Sequence, residues 1–232
     1  MKEHFVRIYD QHADDYDLLV RREDHEGNLP RVVMERVPLD QADVIELGVG
    51  TGRLTRWLVD HARTLRGFDQ SPAMLTVARS LLEAKGAKNW SLSVADHRRL
   101  PLSGGVADVA IEGWAFGHLV EDSEPPWIEP VRDAMEEMRR VVRPGGTLAL
   151  LETLGTGAEE PMPPNERLAA LYRYLEEEGF KREVIRTDYA FESVEEAETL
   201  CRFFFGDALA DRVRDRQLTI LPECTGLWWR QR

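Results

Sequence analysis

The sequence predicts a single doubly wound α/β domain with a seven-stranded, mostly parallel sheet, and three observations predict it. Short β-branched apolar runs alternate with stretches of helical period along most of the chain. The first such run, residues 42–47, passes through Gly48-Val49-Gly50-Thr51-Gly52 into an amphipathic pattern carrying Leu54, Trp57 and Leu58 on one side. The order there is strand, glycine turn, helix. The second run, residues 63–69, ends in an acid, Asp69. An acid at that tip can accept hydrogen bonds from ribose hydroxyls.

Composition bounds the reading. The chain has 232 residues, 43% hydrophobic and 31% charged, which suits one globular domain with room for insertions. Its net charge of −12 repels phosphate backbones and argues against a nucleic-acid substrate. No apolar run is long enough to span a bilayer, and no charged-then-apolar leader opens the chain. A cytoplasmic protein with no membrane partner, monomeric or homodimeric, is expected. Cys201 and Cys224 match no metal-ligand spacing, so no metal is expected, and Cys201 reads as a buried thiol.

The elements follow in order. Residues 5–22 read as one helix with Phe5, Ile8, Tyr9, His12, Tyr16 and Leu19 near one side. A turn at Gly27-Asn28 precedes a second helix, residues 30–37. After the second strand, Ser71-Pro72 starts a helix whose buried stripe is Met74, Leu75, Ala78, Leu81 and Leu82. Residues 90–95 form a third strand ending at Asp96, and residues 107–112 form a fourth. The tip 113–119 follows, then a polar loop, 121–127. A helix over 128–142 closes on the turn Arg143-Pro144-Gly145-Gly146, which reverses the chain into a fifth strand, 147–152. Residues 154–164 are a loop. Asn165 caps a helix ended by Gly179. Residues 180–191 supply strand six, 193–205 and 207–216 two inserted helices, and 218–221 with 225–230 a seventh strand broken near Pro222. Phe203-Phe204-Phe205 should dock the insertion on the body.

The glycine turn carries the chemistry. Glycine allows positive φ and lets a ligand approach the backbone without meeting a Cβ. The helix N-terminus behind it offers free N–H groups. The spacing here is Glu46-x-Gly48-x-Gly50-x-Gly52, not the G-x-G-x-x-G of dinucleotide folds. It resembles the first motif of the class I S-adenosylmethionine-dependent methyltransferases. Asp69-Gln70-Ser71-Pro72-Ala73-Met74-Leu75 resembles the same family's second motif. Asp96 with the following Leu100-Pro101, the Arg143–Gly146 turn, and the Tyr9-Asp10 and Tyr16-Asp17 pairs also match its pattern.

The resemblance covers residues 42–153 motif by motif. It implies a Rossmann-like methyltransferase fold with strand order 3-2-1-4-5-7-6 and the seventh strand antiparallel. It divides the single domain into an N-terminal helical lid (1–38), a cofactor-binding core (42–153) and a C-terminal half (154–232) with the insertion 193–216. The implied cofactor is S-adenosylmethionine and the implied acceptor a small molecule. Gly48, Gly50 and Gly52 would admit the methionine portion, with Glu46 ordering the turn. Asp69 would hold the ribose and Asp96 the adenine. Backbone at Glu112 and Gly113 would receive the ammonium. Tyr16, Gln70, Met74 and His97 complete the expected cofactor set. His118 reads as a base, as a donor to the substrate, or as a helix-start histidine with a structural bond. The N-terminal helix reads as a lid or as plain packing. A nicotinamide-dependent oxidoreductase would share the glycine turn and Asp69 but leave Asp96 and the Arg143–Gly146 turn unexplained. A non-catalytic binder of the same cofactor would keep every motif.

Overall fold

The computed structural model describes residues 2–123 and 126–232. Along the chain the elements are α1 (Lys2–Gln11), α2 (Ala13–Arg21), α3 (Asn28–Arg36), β1 (Asp43–Leu47), α4 (Thr55–His61), β2 (Thr64–Asp69), α5 (Pro72–Lys85), β3 (Trp90–Val94) and β4 (Ala107–Gly113). They continue as α6 (Phe116–Asp122), α7 (Ile128–Val141), β5 (Val142–Thr153), α8 (Glu166–Glu177), β6 (Lys181–Arg186), β7 (Tyr189–Ala190), α9 (Val194–Phe204), α10 (Asp207–Asp215), β8 (Ile220–Leu221) and β9 (Cys224–Gln231).

β1 is buried at every position, as a central parallel strand must be. The seven-stranded sheet runs β3-β2-β1-β4-β5-β9-β6, so the expected order holds with β9 as the seventh strand. β3, β2, β1, β4 and β5 pair in parallel; β9 is antiparallel to both β5 and β6. Strand alternation divides the core into two layers. Ile45 and Leu47 face Phe116, Met135 and Trp228. Val44 and Ile111 face Leu58, Leu65 and Ala78. The strand order reverses between β1 and β4, and a crevice at their carboxyl ends is where such sheets bind ligands.

Ser71 caps α5 by accepting from the Met74 amide, with Pro72 at the first position, as the sequence predicts. Asn165 caps α8 in the same way. Several expectations are corrected. The first helix is two, broken at His12, whose backbone leaves the helical region (φ −133°, ψ 36°). α6 reaches Asp122, so Glu121 is helical; Glu124 and Pro125 of the expected loop lie outside the described residues. Arg143-Pro144-Gly145-Gly146 does not precede β5 but lies inside it, as a bulge where the register steps from Ala107↔Val142 to Val109↔Thr147. Arg143 fixes that bulge by donating to Asp108 (2.6 Å) and Asp43 (3.0 Å). With Arg63 also donating to it, Asp43 is held well below the usual carboxylate range.

The expected sixth and seventh strands each lose a piece. β7 and β8 leave the main sheet and pair with each other as a two-stranded ribbon. The ribbon shares a third apolar cluster with α9 and α10, including Cys201, Val213 and Leu221. The phenylalanines dock this insertion on the N-terminal helices. Phe204 meets Phe5 and Tyr16, each at 5.3 Å between ring centres, and Phe203 meets His12 at 5.9 Å.

Candidate active site

The turn after β1 has Gly48, Gly50 and Gly52 all at positive φ (75°, 54° and 95°). A Cβ on Gly48 would come within 2.5 Å of the Ala115 side chain, so Gly48 also lets β1 and the β4 tip approach. A Cβ on Gly50 would meet only Tyr16, at 3.9 Å, so the space above Gly50 is open to a ligand. Glu46 stands under the turn with no exposure and accepts from the Thr55 hydroxyl (2.7 Å), tying β1 to the start of α4. Burial pushes its carboxyl up to about 8.

Asp69, at the tip of β2, accepts from the Gly50 amide and the Ser71 amide, both at 2.8 Å. One lone pair on each oxygen thus shapes the two loops, and the residue also lines a cavity. That cavity, of about 490 Å³, is lined by Tyr16, Gly48, Gly50, Asp69, Gln70, Met74, His97, Gly113 and His118 among others. The structure therefore brings most of the expected cofactor residues together. Glu46 and Glu112 sit behind the wall with no exposure. Asp96 is bound by the Arg98 backbone and guanidinium (2.5–3.2 Å), and the adjacent wall is made by His97 and Arg98. His97 is buried with neither ring nitrogen partnered, and burial lowers its pKa. A polar ring in that position is an offer to a ligand.

The Glu112 side chain has a different task from its backbone. Its carboxylate accepts from the Ala115 (2.5 Å) and Phe116 (2.9 Å) amides and so caps α6. Between the two elements Trp114 takes positive φ (55°). That unfavourable conformation is held by a bond from its amide to the Leu151 carbonyl (2.7 Å) and by the Arg53 guanidinium lying 3.2 Å over its ring. Arg53 is also ion-paired with buried Glu23.

His118, in the first turn of α6, shares a 2.8 Å hydrogen bond between its Nε2 and the Tyr9 hydroxyl. Phe5 and Tyr9 both meet its ring edge-on. Burial is the main cause that lowers the pKa of His118 and raises that of Tyr9, so the pair is neutral near pH 7. Phe5, Tyr9, Tyr16, Trp114 and His118 line this cavity and also a second one, of about 780 Å³. The second cavity continues over Glu152, Met162, Leu168, Tyr189, Phe204, Leu209 and Glu223. Sequence reasoning missed Arg53, Glu152 and Glu223. Glu152 ended a predicted strand, which was its one signal; nothing local marked the other two.

A family model described as a methyltransferase domain matches residues 45–150. An uncharacterized methyltransferase of Bacillus mycoides is 26% identical over 155 residues, covering 65% of this chain and 68% of the relative. One from Mycobacterium tuberculosis is 32% identical over 122 residues, covering 53% of this chain and 44% of the relative. Among solved structures, an S-adenosylmethionine-dependent methyltransferase from Aquifex aeolicus aligns at TM-score 0.54 and 17% identity, over 86% of this chain and 87% of its own. The [4+2]-cyclase SpnF aligns at TM-score 0.57 and 20% identity, over 88% and 79%. Such structural likeness shows the fold alone, and the cyclase is a reminder that function lives in the site. A methyltransferase-domain model thus matches from β1 into β5, the named relatives are methyltransferases, and the sheet order is the one that the resemblance implies.

Proposed function

We propose that this enzyme methylates a small-molecule acceptor bound in the 780 Å³ cavity, with its cofactor in the 490 Å³ one. One observation carries the reading: the two cavities share the wall made by Tyr9, Tyr16, Trp114 and His118 at the carboxyl ends of β1 and β4. Both volumes are those of small-ligand sites.

The residues fit S-adenosylmethionine. Positive-φ glycines leave Gly50 open, Asp69 keeps free lone pairs, and buried His97 lacks a partner. In this reading the Gly48–Gly52 turn admits the methionine end, and the Gly113 backbone receives its ammonium. Glu46 orders the turn through Thr55. Asp69 and Gln70 hold the ribose, and Met74 and His97 border the adenine. Asp96, engaged with Arg98, acts by fixing the His97-Arg98 wall. Tyr16 closes the methionine side beside Gly50. The bound cofactor supplies a methyl group on cationic sulfur, so the protein mainly positions its two ligands. His118 is neutral and stands at the shared wall, where it serves as base when the acceptor must lose a proton. The net charge of −12 disfavours a nucleic-acid substrate and so supports a small-molecule acceptor.

The test is thermal. S-adenosylmethionine and S-adenosylhomocysteine should each raise the melting temperature, because both bind the native state alone. NADH should not. A rise with NADH and none with S-adenosylhomocysteine would overturn the reading.

A further inference from the structure

On the reading that the larger cavity holds the acceptor, we propose that the acceptor is an amphipathic amine whose ammonium anchors on Glu223 and Glu152 while its apolar body lies along the aromatic wall. The ammonium is the anchor, and a different atom of the acceptor takes the methyl group.

Glu223 is 2% exposed. Its Oε1 accepts from the Thr153 hydroxyl (2.7 Å), its Oε2 has no hydrogen-bond partner, and the residue lines the cavity. A buried carboxylate oxygen in that position calls for a donor from the ligand. Glu152 lines the same cavity, with its Oε1 taken by the Gly117 amide (2.6 Å).

The cations on this wall are already engaged. Arg53 is paired with Glu23 and stacked on Trp114. Arg212 donates to the Gly157 carbonyl (2.8 Å). An anionic acceptor would have to displace those partners and face Glu121, Glu152 and Glu223. An ammonium meets carboxyl groups, which it shares with the Thr156 hydroxyl bonded to Glu223 and with the Arg53 charge that acts on both. Burial raises both, Glu223 to about 7 and Glu152 to about 8, so a bound cation would also favour their ionised forms. The remaining lining supplied by Phe204, Phe205, Leu209 and Met162 suits an apolar body.

The experiment uses matched probes on the intact chain saturated with S-adenosylhomocysteine. Each set holds an amine, an alcohol and a carboxylate on one body: phenylpropyl, indolylethyl or hexyl. Calorimetry should show the amine binding at least tenfold more tightly than its alcohol and carboxylate partners in one or more sets. Glu223→Gln should remove that preference while keeping the wild-type response to S-adenosylhomocysteine. Alcohols or carboxylates binding as tightly as amines, amines binding Glu223→Gln as tightly as wild type, or no binding in any set would each overturn the proposal. The wild-type comparison stands even if the variant fails to fold. A missing response to S-adenosylhomocysteine itself would instead count against the methyltransferase reading.

Discussion

Asp69 illustrates how one residue serves fold and ligand together. Its oxygens accept from the Gly50 and Ser71 amides, so it shapes the glycine turn and the start of α5 before any ligand arrives. Asp69→Ala should therefore lose stability as well as cofactor affinity, each by about 1–3 kcal/mol, the scale of charge-assisted hydrogen bonds left unmade. Denaturant melts and calorimetry on one preparation check both. Unchanged affinity for S-adenosylhomocysteine would remove Asp69 from the ribose role. This position was legible because strand, acid and capped helix are contiguous in sequence. Glu223 and Arg53 were not, because their neighbours come from distant elements: Thr153 on β5, and Glu23 ahead of α3. Glu112 was legible as a place but not as a side chain; its capping of α6 depends on the sharp turn at Trp114.

At the scale of elements, α1 and α2 decide whether the site is closed. Tyr9 reaches His118, the Ser71 hydroxyl donates to the Tyr9 carbonyl (3.0 Å), and Phe5 and Tyr16 meet Phe204 of the insertion. Both cavities thus take part of their wall from α1 and α2. Hydrogen exchange in residues 5–19 should slow when S-adenosylhomocysteine binds, because a lid is drawn from the less stable parts of a fold. Removing residues 1–20 should leave a folded protein with much weaker cofactor affinity. Equal exchange with and without ligand would make these helices fixed structure. The sequence showed the aromatic side of this segment but not the break at His12. Nor did it show that residues 189–190 and 220–221 would pair with each other. Strand partners are chosen by tertiary packing, and short apolar runs carry no local mark of which sheet they join.

For the whole molecule, pH is a handle on the buried acids. Glu46 and Glu152 stand at about 8 and Glu223 at about 7, against an ordinary 4.5 when unfolded. The folded state then binds more protons than the unfolded state between about pH 4.5 and 8, so these groups make stability fall as pH rises through that window. Asp43 acts oppositely only in acid, and buried His97 and His118 act oppositely below their ordinary 6.5, because the folded pKa of each is depressed. Chemical denaturation of the ligand-free protein should give lower stability at pH 8 than at pH 5. Glu46→Gln, which imitates the protonated acid and keeps an acceptor for Thr55, should reduce that difference by roughly 1–3 kcal/mol. An unchanged slope would mean Glu46 ionises freely. The sheet order, by contrast, was legible only through the family resemblance, because composition and periodicity do not say which strand lies beside which.

In the proposed function a methyl group passes between the two cavities through their shared wall. The direct measurement supplies S-adenosylmethionine labelled at its methyl group to the enzyme with the small-molecule fraction of a cell extract, and follows the label by mass spectrometry. The account predicts enzyme-dependent labelling of at least one low-molecular-weight compound, absent with Gly50→Val. Label found only in nucleic acid or protein when whole extract is used, with none in the small-molecule fraction, would contradict it.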